Sequence, residues 1–128
     1  MGALTALVDT SVLVGDDDVR GLQIDAGWAV SVVTVGELDA GVLLAADPAV
    51  RAARLRRLTA VLAVAPVLDV DRAVAARFGE LRAATGRSAT NDLWIAATAL
   101  AHDLTLVTAD QRQGSLPLVR AALIASDA

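Results

Sequence analysis

The stretch NDLWIAATALAHDLTLVTAD, residues 91–110, decides the fold. A helix opens at Thr90 or Asn91 and runs to about His102. It feeds into LTLVT at 104–108, a short continuous apolar run of the kind that forms a strand buried on both faces. Working outward, the same alternation recurs. LTALV at 4–8, WAVSVV at 28–33 and PVLDV at 66–70 read as further strands, and LPLV at 116–119 as a fifth. Between them lie helical patterns. Thr34 to Ala46 begins with Thr34 and Glu37 at capping-box spacing. Asp47-Pro48 supplies an N-cap and a proline at the first helical position, ahead of Val50, Ala53, Arg54, Leu58 and Val61. Asp71 caps a helix with Val74, Phe78 and Leu81 on one face, and Gly86 ends it.

Strands alternating with helices imply parallel pairing. The expectation is an α/β protein: a three-layer α/β/α sandwich around a central parallel sheet of four or five strands. The 128 residues suffice for one such unit, and no linker or repeat divides them, so residues 1–128 read as a single domain.

Composition removes whole classes of chemistry. All eleven basic residues are arginine. Without lysine there is no Schiff-base chemistry and no Walker P-loop. Without cysteine there are no disulfides or thiolate metal sites, which fits a cytoplasmic protein. His102 is the single histidine, so a histidine-rich metal site is excluded. Apolar runs are too short for a membrane span, and the N-terminus does not read as a signal peptide. The net charge of −4 does not advertise a nucleic-acid binder, yet RAARLRR at 51–57 concentrates four arginines.

The carboxylates then carry the argument. Asp9 ends an apolar strand and is followed at once by Thr10 and Ser11, a costly place for a charge without compensation. Glu37 falls in the first turn of the helix after the second strand, Asp92 in the first turn of the last long helix, and Asp110 two residues past the fourth strand. In a parallel sheet all four belong to the carboxyl edge, where open α/β sheets bind ligands. Like charges at about 4 Å cost about 4 kcal/mol at an effective dielectric near 20. A divalent cation relieves that, and oxygen-only ligands select Mg²⁺ or Mn²⁺. Ser11 and Thr108 could orient carboxylates or waters beside it. Gly41 and Ala96, each four residues after an acid, would let the helices approach the sheet.

Taken singly, these acids have local uses: Glu37 in a capping box, Asp92 on the helix dipole, Asp110 in a turn. Asp9 has none as plain. Asp16-Asp17-Asp18 lacks the alternating spacing of a calcium loop and reads as solvated. Asp39 points away from Glu37. Trp94, two residues after Asp92, faces away from the pocket and reads as core packing or a subunit interface. Arg87 and Arg112 flank the acidic stretches, and with Arg54 they are the candidates for contacting a phosphate backbone.

LVDTSVLV at 7–14, SVVTVGELDAG at 31–41, NDLWIAATAL at 91–100 and LTLVTAD at 104–110 resemble the PIN-domain ribonucleases, and among them the toxins of VapBC-type toxin–antitoxin pairs. The resemblance spans almost the whole chain. It implies a PIN-like fold and a Mg²⁺-dependent (or Mn²⁺-dependent) endoribonuclease. By position it assigns the acidic quartet to Asp9, Glu37, Asp92 and Asp110. It further implies an RNA substrate such as transfer or ribosomal RNA, a cognate antitoxin and a homodimer. Many relatives carry an aromatic residue about three positions after the last acid, where this chain has Gln113-Gly114. Two rivals stand beside this reading: a catalytically inactive PIN-like binding module, and another acidic-pocket Mg²⁺-dependent phosphoesterase. Receiver domains need a lysine, and the haloacid-dehalogenase type needs Asp-x-Asp where this chain has Asp9-Thr10-Ser11.

Overall fold

Leu7 and Val8 are adjacent and both fully buried, yet they belong to different cores. That is the period-two alternation of a strand covered on both faces. The computed structural model describes residues 3–14, 27–86 and 90–124. Their order is β1 (Ala6–Val8), α1 (Thr10–Leu13), β2 (Trp28–Ser31), α2 (Val32–Leu44), α3 (Pro48–Val64), β3 (Val67–Leu68), α4 (Arg72–Thr85), α5 (Thr90–Ala101), β4 (Thr105–Thr108), α6 (Gln111–Gly114) and β5 (Ala121–Leu123). The sheet runs β3-β2-β1-β4-β5 and every pairing is parallel. Leu7 aligns with Ala29 on one side and Leu106 on the other.

On one face Ala6, Val8, Val30 and Val107 pack with Leu13 of α1, Leu38 and Val42 of α2, and Leu58 and Val61 of α3. On the other, Leu7, Ala29 and Leu106 meet Val74 and Leu81 of α4 and Leu93, Ile95 and Ala96 of α5. Each fully buried aliphatic side chain contributes about 1.5–3 kcal/mol. The expected three-layer α/β/α sandwich is therefore present, with five strands. Among the described residues no helix is long and apolar enough to cross a membrane.

Local rules hold where local chemistry decides. Asp47 accepts from Ala49 N at 2.8 Å and Pro48 follows it. Asp71 accepts from Val74 N at 3.0 Å, and Gly86, at φ 63°, closes α4 in the left-handed conformation. Gly27 enters β2 at φ 100°, where a Cβ would lie 2.5 Å from the carbonyl oxygen of Ala3.

Four expectations change. The fifth strand is Ala121–Leu123, not 116–119, because Pro117 lacks an amide hydrogen and Leu118 takes φ 71°. β3 shrinks to two residues. α2 starts earlier than expected: Ser31 at the end of β2 caps it, accepting from Val33 N at 3.1 Å. Thr34 and Glu37 therefore lie inside the helix and form no capping box. Gly41 has no steric duty, since a Cβ there would meet nothing; instead its carbonyl accepts from Arg54 at 2.8 Å. Ala96, by contrast, is fully buried. The short turns α1 and α6 had no sequence signal, being too brief for periodicity to register.

Candidate active site

Strand direction fixes where the acids gather. β1, β2 and β4 are parallel, so the residues that follow them emerge at one edge. Asp9 leaves β1, Glu37 sits in the second turn of the helix after β2, and Asp110 lies two residues past β4. α5 begins at the same edge: the buried Gln113 of α6 donates Nε2–H to the Asp92 carbonyl at 2.6 Å.

Asp9 is 3% exposed, and its carboxylate is held by one neighbour, Ser11, and by Thr108, 99 positions away. It occupies the N-cap position of α1 in extended conformation, φ −70° and ψ 151°, yet it caps no backbone amide. Its Oδ2 accepts from Ser11 Oγ at 2.7 Å and from Thr108 Oγ1 at 2.8 Å. Those two hydroxyl oxygens lie 3.1 Å apart, and each has one proton to give. Each hydroxyl in turn accepts from a backbone amide beyond β4: Ser11 Oγ from Ala109 N and Thr108 Oγ1 from Asp110 N, both at 3.0 Å. Amide, hydroxyl and carboxylate thus form two relays that strengthen one another at low dielectric.

Glu37 is held similarly. Thr10 Oγ1 donates to its Oε1 at 2.7 Å and lies 3.0 Å from the buried Thr34 Oγ1. Asp110 caps α6, accepting from Arg112 N on Oδ1 at 2.8 Å. One oxygen of each of these three carboxylates is committed to a donor of the protein. Among the described residues the other oxygen of each takes no hydrogen bond. The ion pairs there, Arg77–Glu80 and Arg120–Asp103, involve none of the three.

The carboxylates do not form a closed cage. Among the described residues no group of three acids or histidines is assembled closely enough to enclose a metal ion. The donor set still suits Mg²⁺, which keeps several waters and takes only one or two carboxylates directly.

The remaining candidates are dispersed. Ser11 and Thr108 stand against Asp9 as anticipated. Arg112 is exposed on α6 and lines a shallow cleft of about 520 Å³ with Ala84, Thr85, Gln111, Ser115, Leu116 and Pro117. Arg54 is exposed but spends a guanidinium hydrogen on α2. Arg87 and Asp16-Asp17-Asp18 lie outside the described residues. Asp39 is exposed, and Trp94 stacks on Phe78 at 3.9 Å and 13°, as packing required.

Sequence reasoning missed Thr10, Thr34 and Gln113. Thr10 was visible beside Asp9, but its partner lies 27 positions away. Gln113 was legible only as a polar residue where relatives have an aromatic one.

Comparison with known proteins converges on one group. The family model described as the PIN domain matches residues 6–117. Ribonuclease VapC4 of Mycobacterium tuberculosis is 41% identical over 132 aligned positions, covering 97% of this chain and all of that one. Ribonuclease VapC5 of the same organism is 40% identical, covering 81% of this chain and 82% of that one. Among solved structures, VapBC-5 from Mycobacterium tuberculosis, a member of the VapBC family of toxin–antitoxin systems, superposes with a TM-score of 0.80. It is 36% identical and covers 94% of this chain and 98% of that one.

Proposed function

This chain belongs to the PIN-domain family, and on that premise we propose that it is an endoribonuclease, the toxin of a type II toxin–antitoxin pair, working with Mg²⁺ or Mn²⁺. The observation that carries the reading is the half-committed state of Asp9, Glu37 and Asp110. One oxygen of each is anchored by the protein, the other is left for a ligand, and among the described residues no arginine pairs with them. A buried Asp9 would otherwise be a liability.

Asp9 and Asp92 would hold the cation, together with Asp110. When bound, such an ion would supply acidification of the attacking water and offset charge on the phosphate. Glu37, fixed by Thr10, orients the attacking water and takes its proton. Attack by water in line with the leaving oxygen leaves a 3′-hydroxyl and a 5′-phosphate. Arg112, Arg54 and Arg87 are the candidates for steering the RNA backbone; a transfer or ribosomal RNA in the cytoplasm is the proposed substrate.

The partner reading rests on a separate feature. Leu43 and Leu44 at the end of α2 are 76% and 81% exposed, and Leu55, Leu62 and Val64 of α3 are also exposed. A contiguous apolar patch built from these side chains would mark a protein-binding surface. We assign it to partner chains, the cognate antitoxin or a second copy.

The test is RNA cleavage with Mg²⁺ or Mn²⁺ and with the cation chelated, mapping the ends produced and using Asp92→Asn as control. Cation-dependent cleavage with 5′-phosphate ends supports the proposal. Cation-independent cleavage, or 2′,3′-cyclic phosphate ends, overturns it.

A further inference from the structure

Gln113 is fully buried, and among the described residues its Oε1 has no hydrogen-bond partner. Its only polar contact among the described residues is Nε2–H to the Asp92 carbonyl, at 2.6 Å. An amide buried with its acceptor unpaired is a poor choice for packing, since an aliphatic side chain of similar volume would leave nothing unsatisfied. The residue therefore serves something other than the core.

Its position shows what. α6 is a single turn stitched to itself: Asp110 caps it, Gly114 N donates to the Asp110 carbonyl at 2.9 Å, and Ser115 Oγ donates to the Gln111 carbonyl at 2.9 Å. Asp110 stands at one end of this turn and Gln113 at the other. The Asp110 amide is also tied to Thr108, and through it to Asp9. Gln113 carries the same framework across to the first turn of α5, where Asp92 sits. A carbonyl oxygen accepts two hydrogen bonds, so the contact does not compete with the ladder of α5.

We propose that Gln113 is a positioning residue that sets the span between Asp92 and Asp110, and so tunes the affinity of the acidic edge for a divalent cation. This rests on the ribonuclease reading above. Because these acids form no closed cage, their spacing depends on ties of this kind rather than on contact between them. A partner one step removed from a ligand typically changes metal affinity by 10- to 100-fold when it is removed.

The experiment titrates Mn²⁺ into the metal-free chain, reading free Mn²⁺ by electron paramagnetic resonance, alongside a thermal melt in chelator. Gln113→Met keeps length and volume and removes the donor. The expected result is a Kd for Mn²⁺ weakened on the order of tenfold, with a thermal midpoint unchanged or raised. Gln113→Leu should behave alike and covers the case in which the methionine variant does not fold. A Kd within twofold of the parent overturns the inference. So does a fall of affinity and midpoint together, or failure of both variants to fold, because either makes the residue a structural one. If the unsubstituted chain binds no Mn²⁺, the metal-dependent reading falls and takes this inference with it. Binding by parent and variants alike removes this inference alone.

Discussion

Asp9 and Asp71 both follow a parallel strand, and both stand in extended conformation at the N-cap position of a helix. Asp71, beyond the border strand β3, does what the position invites. It is exposed, and its carboxylate accepts from Val74 N three residues on. Asp9, beyond the central strand β1, caps nothing. Its carboxylate is turned to hydroxyls at positions 11 and 108, and it is buried. The difference lies in the neighbours. At the centre of the sheet two flanking strands bring Thr108 and Ser31 to the same edge. Of the buried polar side chains among the described residues, Asp9, Ser31, Thr34, Thr108 and Gln113 all lie there, and only Thr98 lies elsewhere. Polar burial on this scale costs stability unless every group is partnered, and it persists where function requires it.

The sharpest way to break this contrast is Asp9→Asn. The amide oxygen still accepts both hydroxyl hydrogens, so the fold should survive with little change in thermal midpoint. Loss of the charge should lower RNA cleavage by about a thousandfold or more, a barrier of about 4 kcal/mol. Cleavage within tenfold of the parent would mean that the burial of Asp9 is structural after all. Glu37→Gln sharpens the division of labour. Removing a general base typically costs 10²- to 10⁴-fold. We expect about a hundredfold loss of cleavage with Mn²⁺ binding retained. Loss of binding in proportion would make Glu37 a ligand instead.

Thr108→Val probes the scaffold. The change removes the hydrogen bond to Asp9 and the acceptor of the Asp110 amide while keeping the shape. Leaving one buried group unpaired costs about 1–3 kcal/mol, so urea unfolding should show a loss in that range. An equally stable variant would show that the relay contributes nothing to the fold.

The same contrast explains what could be read beforehand. The strands around Leu7 and Leu106, the caps at Asp47 and Asp71 and the stop at Gly86 depend on neighbours within a few residues, and the sequence displays them. The acidic edge was also legible, because strand direction alone sends Asp9, Glu37 and Asp110 to one side. What was not legible depends on distant partners. Thr34 has the spacing of a cap, but Ser31 reaches the helix start first. Gln113 reads only as a polar residue where relatives carry an aromatic one until α5 is placed against it. The course of 116–120 turns on a left-handed Leu118, which carries no compositional mark.

The smallest effect belongs to Asp71→Ala, and it is the control that gives the others meaning. The substitution frees the Val74 amide, but the position is exposed and water replaces the lost acceptor. The backbone bond from Ala75 N to the Asp71 carbonyl remains, and α4 stays anchored through Val74, Leu81 and the Phe78–Trp94 stack. A cap removed in this way costs about 1 kcal/mol. We expect that loss in urea unfolding, with RNA cleavage and Mn²⁺ binding unchanged. If cleavage fell as well, the carboxyl edge would be acting as one cooperative unit out to its border strand. The distinction between a carboxylate that caps its own helix and one turned to the hydroxyls of Ser11 and Thr108 would then describe geometry without describing function.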